Sequence, residues 1–247
     1  MPVSKVHPLF VPLPENDYHL TPQRIDIWQY PLTTLWPGAE ALLNPVELQR
    51  AKRFHFDRHQ RRFTIARAML RLILARYLPL EPQALTFSTN IYGKPFLTHP
   101  SHIQFNLSHS QDLALLAIGQ QHPVGIDIEF FSSRPFQGMS KMMFSAQEIQ
   151  SYAQVPETMH SLAFFHVWAQ KEAFIKASGV GLSYPTQTFD VPVLPPTDAE
   201  IFDARHNMMW RMRSFMPKVA CWGAVCHHPS IQTLRYRTLT QDPHAFK

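Results

Sequence analysis

An α+β fold in two halves is what this sequence predicts, from three observations. Two long stretches, residues 57–77 and 158–178, repeat apolar side chains at helical spacing. Short segments between turn signals alternate apolar and polar residues. Helix followed by hairpin-like material occurs twice along the chain, which hints at a duplication, although no strong sequence repeat supports it.

The elements follow in order. Pro2, Pro8, Pro12 and Pro14 punctuate the N-terminus, which lacks the apolar stretch of a signal peptide. Residues 25–30 alternate like a strand. Asn44-Pro45-Val46-Glu47 reads as a helix start, with Asn44 as N-cap, Pro45 in the first position and Glu47 completing a capping box. A basic run follows, and then the helix carrying Leu70, Ile73, Leu74 and Tyr77, which ends before Pro79 and Pro82. Residues 85–88 and 103–107 read as strands around the turn Tyr92-Gly93-Lys94-Pro95. Residues 113–118 and 124–129 are expected to pair as a hairpin. Helices are expected over 145–152 and 158–178, the second closed by Gly179 and Gly181. Strands are expected at 189–193, 208–213 and 218–226.

With 247 residues and 45% hydrophobic content the chain can bury a real core. The longest apolar stretch, around 70–78, is broken by Arg71 and Arg76, so no membrane span is expected. Cys221 and Cys226 make no disulfide framework, and a cytoplasmic protein is expected. The formal charge of +5 suits an anionic partner: nucleic acid, a phosphorylated small molecule or an acidic protein.

Three segments carry chemistry. In Val124-Gly125-Ile126-Asp127-Ile128-Glu129, strand alternation puts both acids on one face. A solvated acidic strand accounts for this segment alone. In the helix, Trp168, Glu172 and Lys176 share a face. An exposed Glu172–Lys176 pair, worth about 0.3–0.5 kcal/mol, is the plain reading. The chemical reading makes Glu172 a third oxygen ligand for a hard cation, with Lys171 and Lys176 beside a phosphate. Phe105-Asn106-Leu107-Ser108-His109-Ser110 is either a turn or a phosphate contact.

Taken in this order, with Tyr92-Gly-Lys-Pro95 before and Gly179-x-Gly181-Leu182-Ser183 after, the segments resemble the Sfp-type 4′-phosphopantetheinyl transferases over roughly residues 45–185. The resemblance implies two pseudo-symmetric α+β halves, each a small antiparallel sheet packed with a long helix, with the active-site cleft between them. The halves are expected at 1–122 and 123–247. The resemblance implies Mg²⁺-dependent transfer of 4′-phosphopantetheine from coenzyme A to a serine of an apo carrier protein, releasing 3′,5′-ADP. Asp127, Glu129 and Glu172 correspond to the metal-binding acids. Ser108 and His109 match phosphate contacts, Lys171 and Lys176 the pyrophosphate-side lysines, and Lys94 a lysine near the adenosine. Arg50 and Arg62 fall where the family binds the 3′-phosphate. Glu47 departs from a basic residue found in some members, with Lys52 or Arg53 available to compensate. Glu172 is the candidate base, with Lys176 and His109 stabilising charge. The implied partner is an acidic acyl, polyketide or peptidyl carrier, and the enzyme a monomer. Met139, Met142, Met143 and Phe144 read equally as core or as carrier-docking surface.

Other classes compete less well. The run from Arg50 to Arg76 could face nucleic acid, but no nucleic-acid signature accompanies it. Cys221, Cys226, His227 and His228 lack zinc-finger spacing and read as buried thiols beside ordinary histidines. A non-catalytic coenzyme A-binding protein would keep the lysines without needing three acids.

Overall fold

A computed structural model of the chain describes residues 9–12, 17–132 and 136–238; Pro2, Pro8 and Pro14 of the N-terminal reading lie outside them. In chain order the elements are β1 (Val11–Pro12), β2 (Arg24–Pro31), α1 (Pro45–Lys52), α2 (Asp57–Arg76), β3 (Phe87–Thr89), β4 (Pro95–Leu97), β5 (Ile103–Ser110), β6 (Leu113–Gln120) and β7 (Gly125–Phe130). Then come α3 (Gln137–Met143), α4 (Ala146–Ala153), α5 (His160–Ser178), β8 (Ala199–Asp203), β9 (Met208–Lys218), β10 (Cys221–His227) and β11 (Thr233–Thr238). Among the described residues no helix is long and apolar enough to cross a membrane.

Local chemistry sets the helix ends. Asn44 Oδ1 accepts the Glu47 N–H at 2.8 Å and Glu47 Oε2 accepts the Asn44 N–H at 3.0 Å, the capping box expected for α1. Ser145 and Glu148 start α4 in the same way. Gly179 ends α5 with a φ of 74°, the left-handed conformation a C-terminal cap needs.

The strands form a five-stranded sheet in the order β1-β11-β2-β6-β5, a four-stranded sheet β7-β10-β9-β8, and the β3-β4 hairpin. β6 shows how they stack. Its Ala114, Leu116 and Ile118 meet Leu70, Ile73 and Leu74 of α2, while Leu113, Leu115 and Ala117 meet Ile126 and Ile128 of β7. On the far side of the four-stranded sheet, Ala173 and Phe174 of α5 pack on Trp210 and Trp222. The result is four layers: α2, the larger sheet, the smaller sheet, α5.

The structure departs from the sequence reading in three places. β6 and β7 do not pair. β6, apolar on both faces, sits between β2 and β5, and β7 pairs with β10. Phe189, Val191 and Val193 are buried, but their segment joins no sheet among the described residues, and Pro192 lacks an N–H for a ladder. Side chains hold this segment instead: Glu148 Oε1 accepts the Val191 N–H at 2.8 Å, Gln170 Nε2 donates to Pro192 O at 2.9 Å, and His166 Nδ1 donates to Val193 O at 2.8 Å. Finally, the division at 122/123 does not describe β11. That strand crosses back to lie parallel to β2, closing its open edge and bringing Arg235 and Arg237 to Asp17 and Asp26. The first sheet is therefore mixed, while the second is antiparallel throughout.

Candidate active site

The site lies where β7 runs along α5. Val124, Ile126 and Ile128 make β7 a strand, with the two isoleucines in the core between the sheets. Asp127 and Glu129 then take the face toward α5. Gly125 allows the approach: a Cβ there would lie 2.0 Å from Ala173 O and 2.3 Å from Ala177 N. Ala169, Ala173 and Ala177 give α5 a face of small residues at four-residue spacing. Glu172 and Lys176 flank that face.

Lys176 does not pair with Glu172 as the plain reading had it. Its Nζ donates to Asp127 Oδ1 at 2.5 Å and to Ser108 Oγ at 2.9 Å, and Ser108 Oγ donates to Asp127 Oδ1 at 2.8 Å. Ser108 is buried in this triangle. Glu129 Oε2 accepts the Ser110 hydroxyl at 3.1 Å, and Asn106 Oδ1 accepts the Ile126 N–H at 2.8 Å.

Charge is unbalanced here. Burial pushes the Glu129 carboxyl up to about 7, and Asp127 beside it adds to the shift. Burial, then Asp127, raises Glu172 as well. Asp127 Oδ2 and Glu172 Oε1 are buried and accept no hydrogen bond. An unpartnered buried oxygen costs about 1–3 kcal/mol. Two such oxygens on facing elements, with one ammonium among three carboxylates, are the donor chemistry a hard divalent cation satisfies. As they stand, the described residues include no group of three His, Cys, Asp or Glu side chains arranged to hold a metal ion. The donor types fit Mg²⁺, and binding would require these carboxylates to draw together.

Two cavities flank the acids. One, of about 430 Å³, is lined by Tyr92 and Lys94 of the hairpin, Leu107 of β5, and Glu172, Lys176 and Gly179 of α5, so both halves wall it. The other, of about 250 Å³, has Arg62, Ser110 and Glu129 on one side and Phe136, Phe164 and Trp168 on the other.

The remaining predicted residues separate. Lys94 is at the first cavity, but its Nζ donates to Val124 O at 3.1 Å and Ala177 O at 3.2 Å, and burial brings its pKa down to about 8. Asn90 Nδ2 donates to Gly179 O at 2.7 Å, so the hairpin clasps the C-terminal end of α5, where an ammonium is favoured. His109 takes the face of β5 opposite Ser108 and is exposed; partial desolvation, then Lys176 and Arg62, lowers its pKa. Arg62 Nε binds Asp112 at 2.9 Å. Arg50 is exposed on α1, its guanidinium 5.3 Å from the Phe63 ring centroid.

Lys171 is a correction. It is fully buried, with its Nζ 2.9 Å from Glu148 Oε2, 2.9 Å from Phe189 O and 2.5 Å from Thr186 O. Adjacent helical residues point about 100° apart, so turning Glu172 to β7 turns Lys171 into the C-terminal core. Glu47 is structural as well: besides capping α1 it pairs with Arg67 and Arg71 of α2. Cys221 and Cys226 are free and buried in different cores, facing opposite ways on β10. Of the apolar stretch, Phe144 is core, Met139 and Met143 pack against it, and Met142 is 75% exposed.

Residues 27–121 match the sequence profile of the N-terminal part of 4′-phosphopantetheinyl transferases, and residues 123–218 match that of the 4′-phosphopantetheinyl transferase superfamily. The chain is 33% identical over 223 residues to the 4′-phosphopantetheinyl transferase HetI of Nostoc sp., covering 87% of this chain and 92% of that protein. The chain belongs to the 4′-phosphopantetheinyl transferase superfamily. The transferase psf-1 of Bacillus pumilus is 36% identical over 177 residues (71% of this chain, 75% of that one), and Sfp of Bacillus subtilis 31% over 152 residues (61% and 66%). Membership of this transferase superfamily sets aside the non-catalytic binder. Against that background, Asn106 and Ser110 are the site residues that sequence reasoning missed. Their signal was present: Asn106, Ser108 and Ser110 alternate along one strand and so share a face.

Proposed function

We propose that this transferase moves the 4′-phosphopantetheine arm of coenzyme A to a serine hydroxyl of an acidic apo carrier protein, acting as a cytoplasmic monomer in the cleft between the hairpin, β5 and α5. The observation that carries this is the Lys176–Asp127–Ser108 triangle beside Glu172, at a cavity walled by the hairpin, β5 and α5, with Glu129 lining the neighbouring cavity. Free, unbridged cysteines accord with a reducing compartment.

The serine oxygen forms a bond to the β-phosphorus of the pyrophosphate as the bond from that phosphorus to the bridging oxygen breaks. That oxygen leaves with 3′,5′-ADP. Glu172 takes the serine proton; burial raises its pKa, which makes it a stronger base than an ordinary carboxylate. Lys176 places a positive charge where the transferring group gains negative charge. His109 offers its imidazole as a hydrogen-bonding group for a phosphate oxygen; desolvation, then Lys176 and Arg62, disfavours its charged form. Lys94 keeps one ammonium N–H beyond its two carbonyl acceptors, available to the adenosine end. Mg²⁺ held by Asp127, Glu129 and Glu172 would neutralise charge on the pyrophosphate oxygens.

The test is incubation with coenzyme A, Mg²⁺ and apo acyl, polyketide and peptidyl carriers, read by mass spectrometry. The phosphopantetheine adduct and 3′,5′-ADP should appear together. Asp127→Ala should abolish both, without rescue by added Mg²⁺. Absence of adduct on every carrier class would overturn the proposal.

A further inference from the structure

β5 and β7 are edge strands of different sheets and share no backbone ladder. Three alternate side chains of β5 replace it. Asn106 holds only backbone, the Ile126 N–H. Ser108 holds Asp127, which Lys176 also grips. Ser110 does two things at once: its Oγ accepts the Phe130 N–H at 3.3 Å and donates to Glu129 Oε2 at 3.1 Å. A hydroxyl has a single proton, so the Phe130 N–H on its oxygen leaves that proton for Glu129.

Glu129 has no other such support. Among the described residues, Ser110 is the only hydrogen-bond partner of its carboxylate, and no cation pairs with it. A glutamate side chain has three rotors, and the cavity that Glu129 lines is also lined by Arg62, whose Nε binds Asp112. Without the hydroxyl, the carboxylate is free to turn toward Arg62 and away from Asp127 and Glu172.

We propose that Ser110 is a positioning residue, contributed by the first half of the molecule, that aims the Glu129 carboxylate of the second half at the divalent cation. The inference rests on reading the three acids as a cation site, and it assigns to Ser110 a role separate from the phosphate contacts expected of its neighbours.

Mn²⁺ binding, followed by electron paramagnetic resonance on the full chain without coenzyme A or carrier, tests it. Ser110→Thr and Ser110→Val have nearly the same shape and differ in the hydroxyl. Ser110→Val and Ser110→Ala should weaken Mn²⁺ binding about tenfold, the usual scale for losing a group that orients a metal ligand. Ser110→Thr should stay within about twofold of wild type, and thermal midpoints should separate Thr from Val far less than Mn²⁺ affinity does. The Mg²⁺ concentration for half-maximal transfer should rise in parallel, with the KM for coenzyme A little changed. Equal Mn²⁺ affinity in the Thr and Val variants overturns the inference and leaves the cation site standing. No Mn²⁺ binding by wild type overturns both.

Discussion

Lys171 and Lys176 lie five residues apart on one helix and do different work. Lys176 reaches across to Asp127 at the cleft. Lys171 pairs with Glu148 in the core and ties down the backbone of residues 186–189. Lys171→Met would leave Glu148 buried and unpaired, a loss of about 3–5 kcal/mol. The denaturant midpoint should fall accordingly, while the folded fraction keeps a KM for coenzyme A within about twofold of wild type. A large rise in that KM at unchanged stability would restore Lys171 to the phosphate site. Glu129 gives a second residue-scale prediction. Its pKa rises from an ordinary 4.5 to about 7, so between those values the folded chain holds more protons at this position than the unfolded chain. Its contribution to stability therefore falls as pH rises through that window. Glu129→Gln removes the group. In EDTA, the thermal midpoint of wild type relative to Glu129→Gln should drop between pH 5 and 8, and a flat difference would count against the shift.

At the scale of elements, the approach of β7 to α5 is the controlling contact. Gly125→Ala puts a methyl group into the backbone of Ala173 and Ala177, neither of which can move as a side chain tip would. Strand and helix must separate. Overpacking of this kind costs about 1–3 kcal/mol. The melting temperature should fall, and kcat should fall further than the unfolded fraction explains, because Asp127 and Glu129 move away from Glu172. An unaltered kcat would mean that this spacing is not critical. Elements set by local chemistry were legible in the sequence: the α1 cap, the lengths of α2 and α5, the face shared by Asp127 and Glu129. Elements set by distant partners were not. Nothing local tells that β6 prefers β2 to β7, or that the alternation at 189–193 serves side-chain bonds from α4 and α5. Lys171 was misplaced because it was grouped with Lys176, although adjacent helical residues point about 100° apart and Glu172 already faces β7. Ser110 was overlooked because its partner lies 19 residues away on the edge of another sheet.

Over the whole molecule, the halves are joined four ways: by the core between the sheets, by the side chains of β5 on β7, by the hairpin clasp of Asn90 and Lys94 on the end of α5, and by β11. The repeated order of helix and strands hinted at two halves, but the return of β11 gave no such hint, because its sequence carries no sign of which edge it joins. A chain ending at Gln232 would leave β2 with an open edge and Asp26 buried without Arg235. Its thermal unfolding should broaden and begin at lower temperature, with the first half losing protection from hydrogen exchange before the second. An unchanged melting profile would show that β11 is dispensable.

That returning strand also imposes an order in time on a ribosome. β2 is made early, yet the neighbour that covers its outer edge is made some two hundred residues later. Until then the nascent chain carries a strand with unpaired N–H and C=O groups, a template for pairing with other chains. The arrival of β11 thus has a second consequence in biosynthesis: it covers an edge that would otherwise offer itself to other chains.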